Sequence, residues 1–486
     1  MRVKEAICIV LLLIAAASCS LEIEPADGIV KDNLGTVPNA LLYATNGCYA
    51  LMKDSLPYKG ALDYRSSYVR NLHQLLEYQA DNVTLSGTTS DPLFYAATRE
   101  HYPAMENTTY VWYIAYKIIN SANQNIESVT EGEEAGKDYL LGENYFMRAM
   151  AYFDLLRLFA RPYSHGINNP GVVMRVTSTA PNNLARATVG DCYAQVVADL
   201  EKAAALMENG TGRGSEYASK EAAWALLSRA YLYMENNGKA IEYAGKVIES
   251  PAFELHSSGS YTTLFHNTPA SDESIFVVKH LVQDDKGTAS IGSMYLTDKI
   301  GWGEVYESEP LRNILMLHPE DVRNKLIKPQ LLADSVTVAT RNGIPKYFIT
   351  KFSYQDGIVT LSSPHVLRLA EMYLNRAEAY AKTGEDQKAL DDINEIRIRA
   401  GLESEQYTLG DLQGAATVLE AVLQERRLEL AYEGHRAMDV YRNKLSMDRT
   451  FPGVQPKEVV DWDDLRIIYY IPQDELFTNK ACAQND

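Results

Sequence analysis

The sequence predicts a mainly α-helical protein, in which helix hairpins of tetratricopeptide-like texture pack against a loop-rich region with a few short strands. Long segments carry apolar residues at helical spacing, and two of these segments resemble each other. Gly, Ser, Thr and Pro interrupt this texture twice, among scattered aromatic residues. We therefore expect helical hairpins at about residues 111–160, 188–250 and 364–447, and loop-rich binding regions at about 56–110 and 250–363.

The individual helices follow from periodicity and capping. Thr188 and Ser219 are predicted N-caps, because their hydroxyls can accept a hydrogen bond from a first-turn amide. Short strands are predicted at residues 275–279 and 347–352. The predicted helices span residues 40–51, 68–78, 111–129, 136–159, 190–207, 220–234, 239–248, 365–382, 386–399, 412–432 and 435–443.

The start of the chain has the pattern of an export signal. A short basic stretch is followed by an apolar run, residues 7–17, which is too short to span a bilayer. The run ends in small residues before Cys19, as a bacterial lipoprotein signal requires. We predict a signal peptide at residues 1–18, a lipid on Cys19, and an anchor and tether at residues 19–37. The alternative is an ordinary secretory cleavage site at which Cys19 is incidental.

Composition excludes several classes of function. The formal net charge is −18, which disfavours binding to nucleic acid and to anionic lipid headgroups. The five cysteines include no CxxC pair and no Cys/His cluster, so a disulfide framework and a structural zinc site are not expected. We predict no cofactor and no metal site, although a calcium ion is possible in a loop containing Asp284 and Asp285 or Asp463 and Asp464.

Two predicted hairpins share a pattern. Residues 222–233 and 371–380 each contain an Arg-Ala step followed by Tyr, then a Gly turn and a Lys-Ala pair. Small Ala residues allow two antiparallel helices to approach closely, as in tetratricopeptide repeats, and such units must be stacked to bury their apolar faces. Because the units are not contiguous, the chain is not a simple solenoid.

Five segments, in order along the chain, carry a resemblance to a known family. The most specific is residues 425–436, which read ERRLELAYEGHR. The others are residues 142–159 (GENYFMRAMAYFDLLRLF), 366–380 (VLRLAEMYLNRAEAY), 394–402 (NEIRIRAGL) and 470–475 (YIPQDE). Together with Cys19, these segments resemble the SusD/RagB family. The sequence departs from the family's pattern at residues 160–163 and has only four Trp residues.

The resemblance implies a location and a role. It implies an outer-membrane lipoprotein that faces the cell exterior and covers a SusC-like TonB-dependent transporter barrel. Such a protein captures a nutrient, most often an oligosaccharide, and passes it to the barrel. A peptide ligand on the same scaffold is the nearest alternative, and a helical-repeat scaffold without a ligand is a more distant one.

Catalytic motifs are absent from the sequence. We find no HExxH, GxSxG, P-loop or GxGxxG pattern. Glu425 and Glu429 lie four residues apart on one helix face, where we expect a buried ion network with Arg426, Arg436 or Asp439 as partners. We therefore predict that the protein is not an enzyme and has no catalytic residue, with a glycoside hydrolase as the alternative.

The candidate ligand contacts lie in the two loop-rich regions, where the family builds its ligand site. Trp302 stands between two glycines, which predicts an indole that projects from a loop. Tyr306 follows it, and the earlier region contributes Tyr95, Arg99 and Tyr102. Aromatic rings can stack on the apolar face of a sugar while polar neighbours bind its hydroxyls. The alternative is that the tyrosines only pack against the helical layer.

Overall fold

The structure is a computed structural model that describes residue 34 and residues 37–210 and 212–486. The predicted signal peptide, Cys19 and all of the predicted tether except Leu34 and Val37 lie outside the described residues. Among the described helices, none is both long and apolar enough to cross a membrane.

Sixteen α-helices are found in the described part of the chain. They are α1 Ala40–Lys53, α2 Tyr68–Glu77, α3 Leu93–Thr98, α4 Glu106–Glu127, α5 Ala135–Phe159, α6 Val189–Leu206, α7 Lys220–Tyr233, α8 Asn237–Ile248, α9 Tyr261–His266, α10 Ile291–Tyr295, α11 Glu309–Leu315, α12 Leu369–Thr383, α13 Asp386–Arg399, α14 Val418–Glu429, α15 Arg436–Arg442 and α16 Gln473–Thr478.

The described strands are short and form six separate antiparallel pairs. Each pair fastens one loop to another, and none extends into a larger sheet among the described residues. The pairs are β1 Val83–Leu85 with β5 Val305–Glu307, β2 Pro170–Val173 with β3 Arg186–Thr188, β4 Ser274–Val277 with β10 His365–Arg368, β6 Ile327–Pro329 with β9 Tyr347–Ile349, β7 Thr340–Arg341 with β8 Ile344–Pro345, and β11 Met447–Asp448 with β12 Val459–Val460.

The helices form one stack. From α4 to α8 each helix packs on the next, and α12 then packs on α8 and carries α13 and α14. The segment between α8 and α12, which contains most of the strands, is thus an excursion from a continuous helical layer. This arrangement confirms the mainly α-helical class and explains why the two similar hairpins are separated in sequence.

Most predicted helices are confirmed within a few residues. α13 has the predicted bounds, and Thr188 and Ser219 cap α6 and α7 by accepting from the amides of Asp191 and Ala222, both at 3.1 Å. Three boundaries were wrong. α4 begins five residues before the predicted start, at Glu106, and α14 is shorter than predicted because Thr417 caps it.

The third boundary error has a tertiary cause. The predicted helix at residues 365–382 begins with a strand, β10, and only Leu369 starts the helix. β10 pairs with β4, which lies almost 90 residues earlier, so a partner distant in the chain overrides the local helical pattern.

A buried ion network joins α14 to the loop-rich part, as predicted, but with other partners. Glu425 pairs with Arg323 (2.6 Å) and Arg397 (3.2 Å). Glu429 pairs with Arg368 (2.6 Å) and Arg399 (2.5 Å).

The predicted partners are engaged elsewhere. Arg426 contacts Asp439 at 3.2 Å, and Arg436 contacts Asp81 at 2.9 Å. The carboxylates and their actual partners are fully or almost fully buried, so each charge depends on the others for its stability.

Candidate ligand-binding site

Tyr306 is an interior residue, which contradicts its prediction as a ligand contact. Its side chain is 0% exposed, and its hydroxyl donates to the Gly303 carbonyl at 2.7 Å. Its ring packs edge-on against Phe348, with ring centroids 5.2 Å apart. Because β5 faces the interior at this position, the ring cannot reach a ligand from the surface.

Arg99 is also buried, and its prediction as a ligand contact was wrong. Its guanidinium pairs with Glu458 at 2.8 Å and with Asp464 at 3.0 Å. Burial acts to raise the pKa of the Asp464 carboxyl, but hydrogen bonds from Arg466 and the charge of Arg99 outweigh it and lower that pKa to about 2. Arg99 therefore fastens the end of α3 to the C-terminal segment.

Trp302 is half-buried and does not project from the loop as predicted. Its indole N–H donates to the Thr288 carbonyl at 2.8 Å, and the Arg70 guanidinium lies 5.6 Å from the ring centroid. Arg70 is held in turn by Asp91, at 2.8 Å. The indole thus has both a hydrogen-bond partner and a cation within the protein, and only part of its ring faces solvent.

The glycines beside Trp302 have a structural reason. A Cβ on Gly301 would lie 2.3 Å from the Ser293 carbonyl oxygen, at the end of α10. Gly303 has a φ of +68°, and a Cβ there would lie 2.6 Å from the Cβ of Asp298. The two glycines are therefore required by close backbone packing, which is why they were misleading as a sign of an exposed indole.

Tyr95 and Tyr102 pack against each other on the surface. Their rings are nearly perpendicular, with centroids 5.0 Å apart, and Tyr102 is 38% exposed. Of the five predicted contacts, these two alone lie together. They stand just before α4, whose first turn borders the cavity described next.

An open cavity of about 540 Å³ lies between the loop that precedes α2, the start of α4, and α16. Its walls combine aromatic and aliphatic side chains with hydroxyl, amide and charged groups. The lining residues are Leu56, Tyr58, Lys59, Ala61, Leu62, Asp63, Ser66, Ala104, Glu106, Thr109, Tyr110, Gln473, Asp474 and Phe477. Its volume and its mixed lining are typical of a small-molecule site.

A tight turn places Tyr58 in the cavity wall. The backbones of Tyr58 and Ala61 exchange hydrogen bonds of 2.8 and 3.0 Å across the two intervening residues. Lys59 and Gly60 both have positive φ, 50° and 79°, as a type I′ turn requires. Tyr58 then contacts the ring of Tyr113, at 4.9 Å between centroids, and its hydroxyl donates to the Asp474 carboxylate.

The opposite wall comes from the far end of the chain. The backbone N–H of Gln473 donates to the Pro103 carbonyl at 2.9 Å, and the Trp112 indole N–H donates to the Glu475 carboxylate at 3.2 Å. These bonds fix α16 against the start of α4. Phe477 remains 61% exposed at the rim, so an apolar ring is presented to solvent beside the carboxylate of Asp474.

Sequence reasoning placed one wall of this cavity in the first loop-rich region but missed the wall formed by α16. The two walls are about 400 residues apart in sequence, and six-residue α16 gives no periodic signal. Tyr58 was the one aromatic signal that residues 56–66 offered for this wall.

A second, larger groove of about 740 Å³ lies between α1 and the start of α5. In its described lining, Tyr139 is the sole aromatic residue, and that ring is buried. It therefore lacks the exposed aromatic faces of the cavity beside α16.

The described part of the chain brings together no group of three or more His, Cys, Asp or Glu side chains able to hold a metal ion. Of the loop acids considered for calcium, Asp284 pairs with Lys53 at 2.6 Å, and Asp464 pairs with Arg99.

Comparison with known proteins agrees with the fold. The family model described as "SusD family" matches residues 230–485, and the model described as "Starch-binding associating with outer membrane" matches residues 60–232. The first match alone covers more than half of the sequence. The chain belongs to the SusD family.

Relatives and solved structures support this assignment along most of the chain. SusD-like protein P2 of Formosa agariphila is 25% identical over 77% of this chain and 79% of its own. A SusD superfamily protein of Bacteroides thetaiotaomicron has a TM-score of 0.81 at 27% identity, covering 92% of this chain and 99% of its own. A putative sugar-binding protein of Bacteroides vulgatus has a TM-score of 0.77 at 26% identity, with 92% and 98% coverage.

Proposed function

We propose that this protein captures oligosaccharides at the outer surface of the outer membrane and delivers them to a SusC-like TonB-dependent transporter barrel. It is anchored through a lipid on Cys19 and carries out no catalysis. The sugar binds in the cavity between Tyr58, Tyr110 and Phe477.

The observation that carries this proposal is the composition of the cavity walls. A pyranose ring has an apolar face and a rim of hydroxyls. Tyr58 and Phe477 supply aromatic surface for the apolar face, and the adjacent Asp474 and Gln473 supply acceptors and donors for the hydroxyls. The Tyr110 hydroxyl accepts the backbone N–H of Leu56 at 2.8 Å, and burial raises its pKa, so Tyr110 is held in the cavity wall as a neutral group.

Similarity supports the same choice of ligand. One family model is described as starch-binding, and a structural neighbour at 26% identity is described as a putative sugar-binding protein. The absence of catalytic motifs favours binding without turnover.

Isothermal titration of the mature chain against soluble malto-, laminari-, cello-, xylo- and manno-oligosaccharides, and against a set of peptides, tests the proposal. Tyr58→Ala and Phe477→Ala should each weaken sugar binding about two- to twelvefold, because an aromatic stack contributes about 0.5–1.5 kcal/mol beyond area burial.

Tyr64→Ala is the matched control. Tyr64 lies in the same loop and is 72% exposed, but it does not line the cavity. Its loss should leave affinity unchanged. Binding of peptides alone, or equal losses in all three variants, would contradict the proposal, and turnover of a bound glycan would contradict its non-catalytic part.

A further inference from the structure

The cavity beside α16 is unevenly charged. Three carboxylates line it, those of Asp63, Glu106 and Asp474. In the described lining, Lys59 is the sole cation. A ligand that enters therefore meets more negative than positive charge.

The one cation is already engaged by one of the carboxylates. The Lys59 ammonium lies 2.7 Å from an Asp474 oxygen, and the other Asp474 oxygen accepts the Tyr58 hydroxyl. This pair is close to neutral as seen by a ligand. The Lys59 ammonium is largely exposed and keeps further N–H donors, but Asp474 already offsets most of its charge.

The remaining two carboxylates have no cationic partner within the described chain. Asp63 accepts from the Ser66 hydroxyl at 3.0 Å and from the Arg65 amide at 2.9 Å, both neutral donors. Glu106 forms no ion pair with a described residue, and its side chain is exposed in the first turn of α4. Two exposed carboxylates without an ion-pair partner among the described residues thus border the aromatic surface, and the N-terminal dipole of α4 offsets part of the Glu106 charge.

The whole chain reinforces this local field. Its formal net charge of −18 repels polyanions during their approach, although ions at physiological strength screen the effect beyond about 8 Å. Long-range repulsion and the local carboxylates therefore act in the same direction.

We infer that the cavity selects uncharged or ammonium-bearing sugars and rejects glycans that carry carboxylate or sulfate groups. This inference rests on the proposed glycan-binding function and specifies its ligand class. An ammonium group would gain attraction from Asp63 and Glu106. A uronate would be repelled by the same carboxylates, and the one cation of the described lining, Lys59, is already paired with Asp474.

The test uses one sugar in three charge states. The neutral oligosaccharide that binds most tightly in the titration panel is compared with its C6-carboxylate derivative and its 2-amino derivative. At low salt, we expect the carboxylate form to bind at least about tenfold more weakly than the neutral form, and the amino form to bind at least as tightly. Added salt should reduce both differences.

Glu106→Gln and Asp63→Asn test the origin of the discrimination. Each removes one charge at nearly constant shape, and each should reduce the penalty against the carboxylate form about threefold or more. Glu395→Gln is the control. Glu395 is exposed on α13, which does not line the cavity, and the substitution removes one negative charge as the two cavity variants do.

The outcomes separate this inference from the proposed function. Failure of every glycan to bind contradicts both. Neutral-sugar binding with equal or tighter binding of the carboxylate form contradicts the charge inference alone. An unchanged penalty in both cavity variants, or the same change in Glu395→Gln, also contradicts it.

Discussion

Single residues in loops were the least predictable part of the site. Tyr306, Arg99 and Trp302 were chosen because their side chains suit a sugar, but the same side chains also suit an interior. The Tyr306 hydroxyl donates to a backbone carbonyl, and the Trp302 indole N–H donates to the Thr288 carbonyl. Arg99 forms ion pairs with two carboxylates. Gly303 lies only three residues before Tyr306, but the partners of Arg99 and Trp302 lie farther away in the chain, so residue type alone could not decide between ligand contact and packing.

Trp302→Ala should cost stability as well as any affinity that the exposed part of the ring contributes. The variant loses a hydrogen bond, a contact with Arg70 and half-buried apolar area, and each of the first two terms is worth about 1 kcal/mol. We expect the free energy of unfolding in urea to fall by about 2–3 kcal/mol.

Trp302→Phe is the matched variant, because it retains a ring over Arg70 and loses the bond to Thr288. The free energy of unfolding of Trp302→Phe should fall by about half as much as that of Trp302→Ala. Full stability of Trp302→Ala, together with a loss of glycan affinity larger than that of Tyr58→Ala, would instead place the main site at Trp302.

At the scale of helices and strands, the sequence was informative where a pattern was long. The helices α5, α6, α7 and α13 follow from apolar spacing and caps, and they were predicted almost to the residue. Of the helices of five to seven residues, α15 was predicted, but others such as α3, α10 and α16 were missed because two turns hold too few apolar positions to show a period. Several of the short strands depend on partners distant in sequence, as β10 does on β4.

The network around Glu429 should make stability depend on pH. Burial acts to raise the pKa of this carboxyl, but Arg399, Arg368, Arg323 and Lys351 outweigh it and lower the pKa to about 2, below an ordinary value of 4.5. Because the folded-state pKa is the lower one, the stabilisation is complete above about pH 5 and is lost as the pH falls toward 2. It amounts to a contribution on the order of 3 kcal/mol.

Glu429→Gln removes this dependence along with the charge. At pH 7 it should lower the free energy of unfolding by about 3 kcal/mol, since Arg368 and Arg399 each then lose one of their carboxylate partners. Between pH 7 and pH 3 it should lose less stability than wild type, as denaturant titrations at several pH values can measure. Glu395→Gln, at an exposed position, should match wild type throughout, and parallel pH profiles for all three proteins would contradict this role.

At the scale of the whole molecule, a loop-rich region packs on one helical layer. The cavity in that region is lined both by residues 56–66 and by α16, which lie about 400 residues apart in sequence. Residues 56–66 and α16 meet there because α16 is fastened to the start of α4 by Gln473 and Glu475. Apolar periodicity predicted the helical hairpins and their order, but it could not predict the cavity, since the cavity depends on contacts between segments distant in sequence.

Anchoring is a property of the whole molecule that can be tested separately. Cys19→Ala should leave the protein folded, with an unchanged thermal midpoint, but should move it from the outer-membrane fraction to the soluble fraction. The lipidated protein, extracted in detergent, should retain a barrel-sized partner in a pull-down. Membrane retention of Cys19→Ala equal to that of wild type would contradict lipid anchoring through this residue.

The most direct test of glycan capture is a crystal structure of the mature chain with the neutral oligosaccharide that binds most tightly. We expect sugar rings in the cavity beside α16, with an apolar ring face on Tyr58 or Phe477 and hydroxyls within hydrogen-bond distance of Asp474 or Gln473. An oligosaccharide bound in the groove between α1 and α5, or elsewhere on the surface while this cavity stays empty, would contradict the proposed site.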